Sequence, residues 1–359
     1  APGDAYAITS RVYGADAISI EYSRDILLED ITLHTAAGMG VKGLRSENIT
    51  LRRLSVTPPP DADLSYSLTA DATHFFCCSG VIRLEDCLIE GQGDDGLNIH
   101  GRFIELDRLE SPRRVRVSVS WPFLDIESGE RLELFNEDAH VIWTGKVSDV
   151  ERLDRANFVL SFEESLPYAA RPGWFFGDVD RAARLVVTDS TFRRSRGRGL
   201  LIQTRDAEVT GCTFEDLTSP AIVGRTTLNQ VHPESITPKR VRIANNTIRG
   251  SPYFQNIAAI ALYANRMQGD GWPIAPAGAL ASIEITGNRV ADTPSIGIYA
   301  ASVDGLRITG NILENCHYRP RRNEWEGAGS HTIVARQSRD VVVVGNRYLG
   351  PGRGSILLQ

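Results

Sequence analysis

The sequence is short of the features that mark several large classes of protein. It has two methionines and five cysteines in 359 residues, and the cysteines (Cys77, Cys78, Cys87, Cys212, Cys316) form no CxxC pair. An odd number without paired spacing argues against a disulfide framework and against a thiolate zinc site, and the adjacent Cys77 and Cys78 read as small buried residues rather than a redox pair. No apolar run approaches the roughly 20 residues of a membrane helix, so no membrane partner is expected and the chain reads as soluble. The opening stretch APGDAYAITS has neither a basic n-region nor an apolar h-region and does not read as an export signal. Lys and Arg number 39 against 45 Asp and Glu, a net charge of −6, and the cations are scattered. The concentrated positive footprint of a nucleic-acid binder is missing, and no such partner is expected.

What is present points to an all-β protein. Apolar residues make up 42% of the chain, enough for a sizeable core, and 32 Gly with 17 Pro favour turns over helices. One pattern recurs nine times: ILLEDITL (26–33), NITLRRLSV (48–56), IRLEDCLI (82–89), LVVTDSTF (185–192), AEVTGCTF (207–214), VRIANNTI (241–248), IEITGNRV (283–290), LRITGNIL (306–313) and VVVVGNRY (341–348). Neighbouring copies such as those at Ile26 and Ile49, or Ile283 and Leu306, lie 23 residues apart, and longer intervals fit loops inserted into a coil of about 22 residues, the period of a right-handed parallel β-helix. Cys87, Ser190, Cys212, Asn246, Asn288, Asn311 and Asn346 align after a Gly, Asp or Asn and are expected to form an inward ladder at one bend, where they satisfy backbone groups from coil to coil. A leucine-rich solenoid would need a regular Leu/Asn consensus that these copies lack.

The interval from Ile82 to Leu185 exceeds a coil by about 80 residues, and it contains alternating segments such as RRVRVSVSW (113–121) and HVIWTGKVSDVERL (140–153). The expected organisation is N-terminal coils over 1–101, an inserted small antiparallel β-barrel or sandwich over 102–182, and C-terminal coils over 183–359.

Polar chemistry concentrates in ADATHF (70–75) and GQGDDGLNIHG (91–101). One coil of about 22 residues back from Asp94 and Asp95 falls beside Asp71, so three carboxylates converge on one corner and face open solvent. Like charges on rungs about 4.8 Å apart raise at least one pKa, so that an acid and a base coexist near neutral pH. The next rung, in RRSRGRGLLIQT (193–204), sets Arg198 above Asp95 and Gln203 above His100. Gly93, Gly96, Gly197 and Gly199 are expected to keep the surface low for a ligand, over a floor of small residues at AAGMG (36–40). His74, Asn98, His100, Arg198, Gln203 and Glu234 are candidates for recognising hydroxyls, and Trp174, near where the insertion returns, is the tryptophan best placed to stack on a sugar. A calcium site fits poorly with the interleaved Arg and His, a zinc site built on His74 and His100 lacks a third ligand, and no GxSxG elbow supports a Ser-His-Asp triad. No metal and no cofactor are expected.

ADATHF, then GDDGLNIHG, a β-rich insertion and RGRGLLIQT resemble glycoside hydrolase family 110, the inverting exo-acting α-galactosidases that cleave terminal α-1,3-linked galactose. HTAAGMG (34–40) is similar to that family's upstream Gly-rich segment, and VHPESI (231–236), with Glu234, loosely matches its aromatic-Glu-Ser-Gly segment. The chain departs from the family at Gly96, Leu97 and Ile99, where members carry Ala and Val, and it is shorter. The resemblance implies a metal-independent hydrolase with a carbohydrate substrate and makes Asp71, Asp94 and Asp95 the catalytic centre. It does not divide acid from base among them.

Inversion calls for carboxyl groups about 6.5–9.5 Å apart, which Asp71 and one of the adjacent pair could span diagonally. Two other functions fit the same scaffold: a polysaccharide lyase with Arg198 as base, which should be more basic than this patch, and a non-catalytic carbohydrate-binding β-helix, which needs no clustered acids. An extracellular or periplasmic location in a bacterium is the expectation from the usual clients of the fold, and the oligomeric state is left open, a dimer included.

Overall fold

The nine repeat copies become nine coils. In the computed structural model, which describes residues 12–60, 66–119, 126–229, 233–253, 257–267, 273–318, 331–350 and 354–359, there is no helix among the described residues. Each copy gives one strand to each of two nine-stranded parallel sheets. Ile26 pairs with Ile49, Ile49 with Ile82, Ile82 with Leu185 and Leu185 with Ala207, and the later coils continue through Val209–Ile243, Ile243–Ile285, Ile283–Leu306 and Leu306–Val341. A third parallel face, from Ile18–Glu21 to Ile356–Leu358, closes each coil. The fold class read from the repeats, a right-handed parallel β-helix with an antiparallel insertion, is the one observed. Apolar side chains fill the solenoid in stacks; Phe192 lies flat on Phe214 with ring centroids 5.2 Å apart.

Corner chemistry explains why the repeat reads as it does. Asp86, Asp189, Gly211, Asn245, Gly287, Gly310 and Gly345 all have φ between 51° and 70°, a left-handed conformation that Gly, Asn and Asp adopt at least cost. The residue after each turns inward. Asn246 Oδ1 accepts the Cys212 amide at 2.9 Å, Asn288 Oδ1 the Asn246 amide at 3.0 Å, Asn311 Oδ1 the Asn288 amide at 2.9 Å and Asn346 Oδ1 the Asn311 amide at 3.0 Å. Their Nδ2 groups donate to the carbonyls of Val209, Ile243, Ile285 and Ile308. The expected ladder is therefore present, with the Ser190 hydroxyl serving the Cys87 amide lower down. All five cysteines are buried and free.

The strand Leu97–Ser111 belongs to both parts of the molecule. Leu97–His100 lies between Thr73–Phe76 and Leu200–Gln203 in the coil, after which the same strand leaves to pair antiparallel with Arg114–Ser118 and Phe175–Asp178. Arg131–Phe135, Val141–Arg152 and Asn157–Phe162 complete the circuit, so that six strands close into a barrel. Closure removes the free edges that alternating strands would otherwise expose. Its own core gathers Leu106, Val117, Leu134, Leu160 and Phe176. Charged pairs tie it to the solenoid: Glu130 accepts from Arg45 at 3.1 Å and from Arg181 at 2.7 Å, and Arg205 donates to Glu133 at 2.9 Å.

Candidate active site

The coil register brings the three aspartates together. Thr73 pairs with Leu97, which sets Asp71 directly opposite Asp95 on the next rung. The Asp95 amide donates to Asp71 Oδ1 at 3.0 Å. One rung higher, the Arg198 amide and its Nε both donate to Asp95 Oδ1, at 3.1 and 2.7 Å. Asp94 Oδ2 accepts from the Tyr13 hydroxyl at 3.1 Å. One oxygen from each of Asp71, Asp94 and Asp95 lies within 4.8 Å of the others.

Exposure differs from the sequence expectation. Asp71 and Asp95 are almost wholly buried and Asp94 is half-buried, so the cluster forms a covered floor rather than an open face. The glycines also act differently. A Cβ on Gly197 would stand 2.0 Å from the Asp94 carbonyl oxygen, and one on Gly93 would stand 2.7 Å from that of Thr69. These glycines let neighbouring rungs of backbone touch, and that close packing fixes Asp94 and Asp95 in place.

Burial, reinforced by the other aspartates, pushes the carboxyls of Asp71 and Asp94 up. Burial raises Asp95 as well, against the pull of Arg198. Arg198 in turn is held charged: desolvation opposes its charge, but Asp95 outweighs it.

Asp71 begins a hydrogen-bonded chain. His74 Nδ1 lies 2.6 Å from Asp71 Oδ2, His74 Nε2 lies 2.9 Å from His100 Nε2, and His100 Nδ1 lies 2.6 Å from the Gly101 carbonyl oxygen. Phe76 supports the His100 ring at 5.0 Å between centroids. Both nitrogens of His100 are engaged within the protein, which removes it from the hydroxyl-recognising set. Burial lowers its pKa to about 4. For His74, burial works against the charge, but the Asp71 carboxylate wins and raises it.

The remaining candidates divide. Asn98 is in register with His74, and its buried Oδ1 has no hydrogen-bond partner among the described residues. Gln203 stands beside His100; its Nε2 donates to the Glu234 carbonyl at 3.1 Å and its Oε1 is unpartnered. Glu234 arrives on a short strand paired with Gly101 and Arg102, and His100 and His74 draw its carboxyl down against the effect of burial. Trp174 is a correction. It is buried in the barrel core with its Nε1 donating to Glu137 at 2.8 Å, and its carbonyl pairs with Leu106, six strand positions or roughly 20 Å from His100. A tryptophan committed to a second core is not available to a sugar.

Three residues escaped the sequence reading. Tyr13 comes from a segment outside the repeats. Arg225 and Tyr263 line, with Asp94, Asp95, Arg196 and Arg198, a cavity of about 290 Å³, and the Nε of Arg225 is buried without a partner. The register Arg225–Tyr263 follows from the coil pairing of Val223 with Ala261, so stacking of the repeats was the signal that could have found them. Asp71, Asp94 and Asp95 form the sole cluster of three His, Cys, Asp or Glu side chains among the described residues with ligand atoms this close. Arg198, His74 and a backbone amide already occupy oxygens of Asp71 and Asp95, and an arginine beside the cluster makes it a poor donor set for a divalent ion.

No family model matches the chain. It is similar to α-1,3-galactosidase B of Bacteroides thetaiotaomicron, with 25% identity over 368 residues covering 99% of this chain and 58% of that protein. It is also similar to α-1,3-galactosidase A of Shewanella woodyi, with 23% identity over 95% of this chain and 55% of that protein. The chain thus spans little more than half the length of these relatives. Among solved structures it is similar to the A-module of a mannuronan C-5 epimerase from Azotobacter vinelandii, with a TM-score of 0.47 and 10% identity over 91% of this chain and 59% of that one.

Proposed function

We propose that the protein is an exo-acting glycoside hydrolase of family 110 that releases a terminal α-linked galactose with inversion, using Asp71, Asp94 and Asp95 as acid and base. The observation that carries this reading is the convergence of three carboxyls within 4.8 Å, all raised by burial, with one clamped by Arg198 and another by His74. Such an environment separates a protonated from an ionised carboxyl at neutral pH. The similarity to α-1,3-galactosidases supports the sugar, and the cavity of about 290 Å³ suits one terminal residue better than an extended chain. Asp71, which shares a proton with His74, is the donor to the glycosidic oxygen. Asp94 or Asp95 takes a proton from the attacking water.

One observation favours retention as a second reading. Near oxygens within 4.8 Å are closer than the roughly 6.5–9.5 Å between carboxyl groups that accommodates a water in inverting enzymes. Inversion is preferred because it is what the resemblance to family 110 implies, and because 4.8 Å is a limit between single oxygens, whose carboxyl groups can stand further apart. A lyase with Arg198 as base is disfavoured because Asp95 holds that guanidinium charged. The deciding experiment is hydrolysis of aryl α-galactosides and α-1,3-linked galactosides, with and without chelator, with the first-formed anomer read by proton NMR. β-Galactose released independently of chelator is expected. No hydrolysis of any α-galactoside would refute the activity, and first-formed α-galactose would refute inversion.

A further inference from the structure

The chain from Asp71 to the Gly101 carbonyl poses a counting problem. It contains three close contacts, Asp71 Oδ2 to His74 Nδ1 at 2.6 Å, His74 Nε2 to His100 Nε2 at 2.9 Å and His100 Nδ1 to Gly101 O at 2.6 Å. Each contact needs one proton between its two atoms, because two lone pairs at that distance repel and two hydrogens collide. A carbonyl oxygen only accepts, so His100 Nδ1 carries hydrogen. Two neutral imidazoles bring two protons in all. Three bonds require a third.

We infer that His74 and His100 are positioning residues that together oblige the Asp71–His74 pair to keep one extra proton. If that proton left, His74 would have a single N–H for two partners. Placed on Nε2, it leaves the bare Nδ1 facing the Asp71 carboxylate; placed on Nδ1, it leaves the bare Nε2 facing that of His100. His100 cannot relieve the clash by switching tautomer without turning a lone pair on Gly101. The tautomer of His100 is therefore the lock, and the proton it secures resides between Asp71 and His74.

Asp95 and Glu234 both favour positive charge on His74. Glu234 favours it on His100 too, but burial, with His74 and Arg102, outweighs it and keeps that ring neutral. Lys42, in register with His74 on the rung below, is turned to Asp16 at 3.0 Å and Glu21 at 3.3 Å. Asp94 has an oxygen within 4.8 Å of both Asp71 and Asp95, and Arg198 is bonded to Asp95 one rung higher, so both act on the chain at its Asp71 end. This inference deepens the proposed hydrolase by explaining how its donor stays protonated near neutral pH, and its role in the reaction rests on that reading. The proton count itself does not.

The test uses the full chain labelled with nitrogen-15. Imidazole correlations between pH 6 and 8 are expected to show His100 protonated at Nδ1 and bare at Nε2, with His74 protonated at Nε2. In His100→Phe, one contact remains for His74, a neutral ring satisfies it, and the Asp71–His74 pair is expected to lose its extra proton at a pH at least one unit lower. The alkaline limb of kcat/KM on an aryl α-galactoside should move down with it, a change that general loosening of the fold would not produce. His100 carrying hydrogen on Nε2 in the native protein would overturn the inference, as would an unshifted titration in His100→Phe; if that variant fails to fold, the native spectrum decides alone. Should the spectrum agree and no galactoside be cleaved, the hydrolase reading fails while the proton count stands.

Discussion

Arg198 Nε donates to Asp95 Oδ1 at 2.7 Å although 103 residues separate them in the chain. The contact exists because the whole barrel is looped out between consecutive coils, so that Leu97 and Leu200 are neighbours on adjacent rungs. Burial raises the Asp95 carboxyl, and Arg198 holds that rise in check. Replacing Arg198 by Gln removes that cation, so Asp95 should gain a proton at higher pH and the acid limb of the rate profile should move upward. We expect kcat/KM on an α-galactoside to fall about a hundredfold or more at neutral pH, the scale of losing one fixed electrostatic contact in a covered site. A variant within threefold of the native rate would remove Arg198 from the machinery.

Asp71→Asn is close to an ideal probe of catalysis without collapse. The Asn oxygen can still accept the Asp95 amide, and its Nδ2 can donate to His74 Nδ1, so the 3.0 and 2.6 Å contacts survive without the acid. Turnover should drop by a factor of about 10² to 10⁴, the usual contribution of a general acid or base. The melting temperature should stay within a few degrees, because a neutral amide replaces a carboxyl that burial already disfavours as an anion. Circular dichroism melts beside turnover on an aryl α-galactoside distinguish this from a structural role; full turnover in Asp71→Asn would remove Asp71 from the catalytic centre.

The sequence made the solenoid legible because its constraint repeats. A left-handed corner residue followed by an inward Asn or Ser recurs wherever a coil turns, and Asn246, Asn288, Asn311 and Asn346 could be read from spacing alone. Asp71 and Arg198 were reachable by the same arithmetic, although the actual step from Asp71 to Asp95 is 24 residues and not the expected 22 or so. What stayed hidden depends on directions that spacing does not carry. Trp174 returns toward the coils in sequence, yet its side chain points into the barrel. His100 is in register with Gln203 on the next rung, but only its ring contacts reveal that both nitrogens are occupied.

The asparagine ladder should carry measurable stability. Asn288 is fully buried, its Oδ1 accepts the Asn246 amide at 3.0 Å, and its Nδ2 donates to the Ile243 carbonyl at 2.9 Å. Asn288→Ala leaves both backbone groups buried and unpaired, at about 1–3 kcal/mol each. Allowing for partial relaxation, we expect a loss of about 2–4 kcal/mol by urea unfolding. Asn346, near the C-terminal end and only partly buried in its bonds, should cost less when truncated. Equal losses at the two positions would contradict this account of the corner.

The barrel's seat should respond to pH through Asp178. Burial, with Glu130 beside it, pushes its carboxyl up to about 7, while its Oδ1 accepts the amides of Asp180 and Arg181 at 2.9 and 3.2 Å. An unfolded aspartate ionises near pH 4, so between about pH 4 and 7 the folded chain holds a proton that the unfolded one has released. Stability contributed by that proton is complete below about pH 4 and is lost as pH rises through about 7, by up to roughly 1.4 kcal/mol per pH unit. Asp178→Asn keeps the acceptor and has no proton to lose. Urea midpoints at pH 4.5, 6 and 7.5 should therefore fall less steeply in Asp178→Asn than in the native chain, and the variant should be the more stable of the two at pH 7.5. Parallel slopes would show that Asp178 is already ionised in the folded protein and that Arg181 and the two amides outweigh its burial.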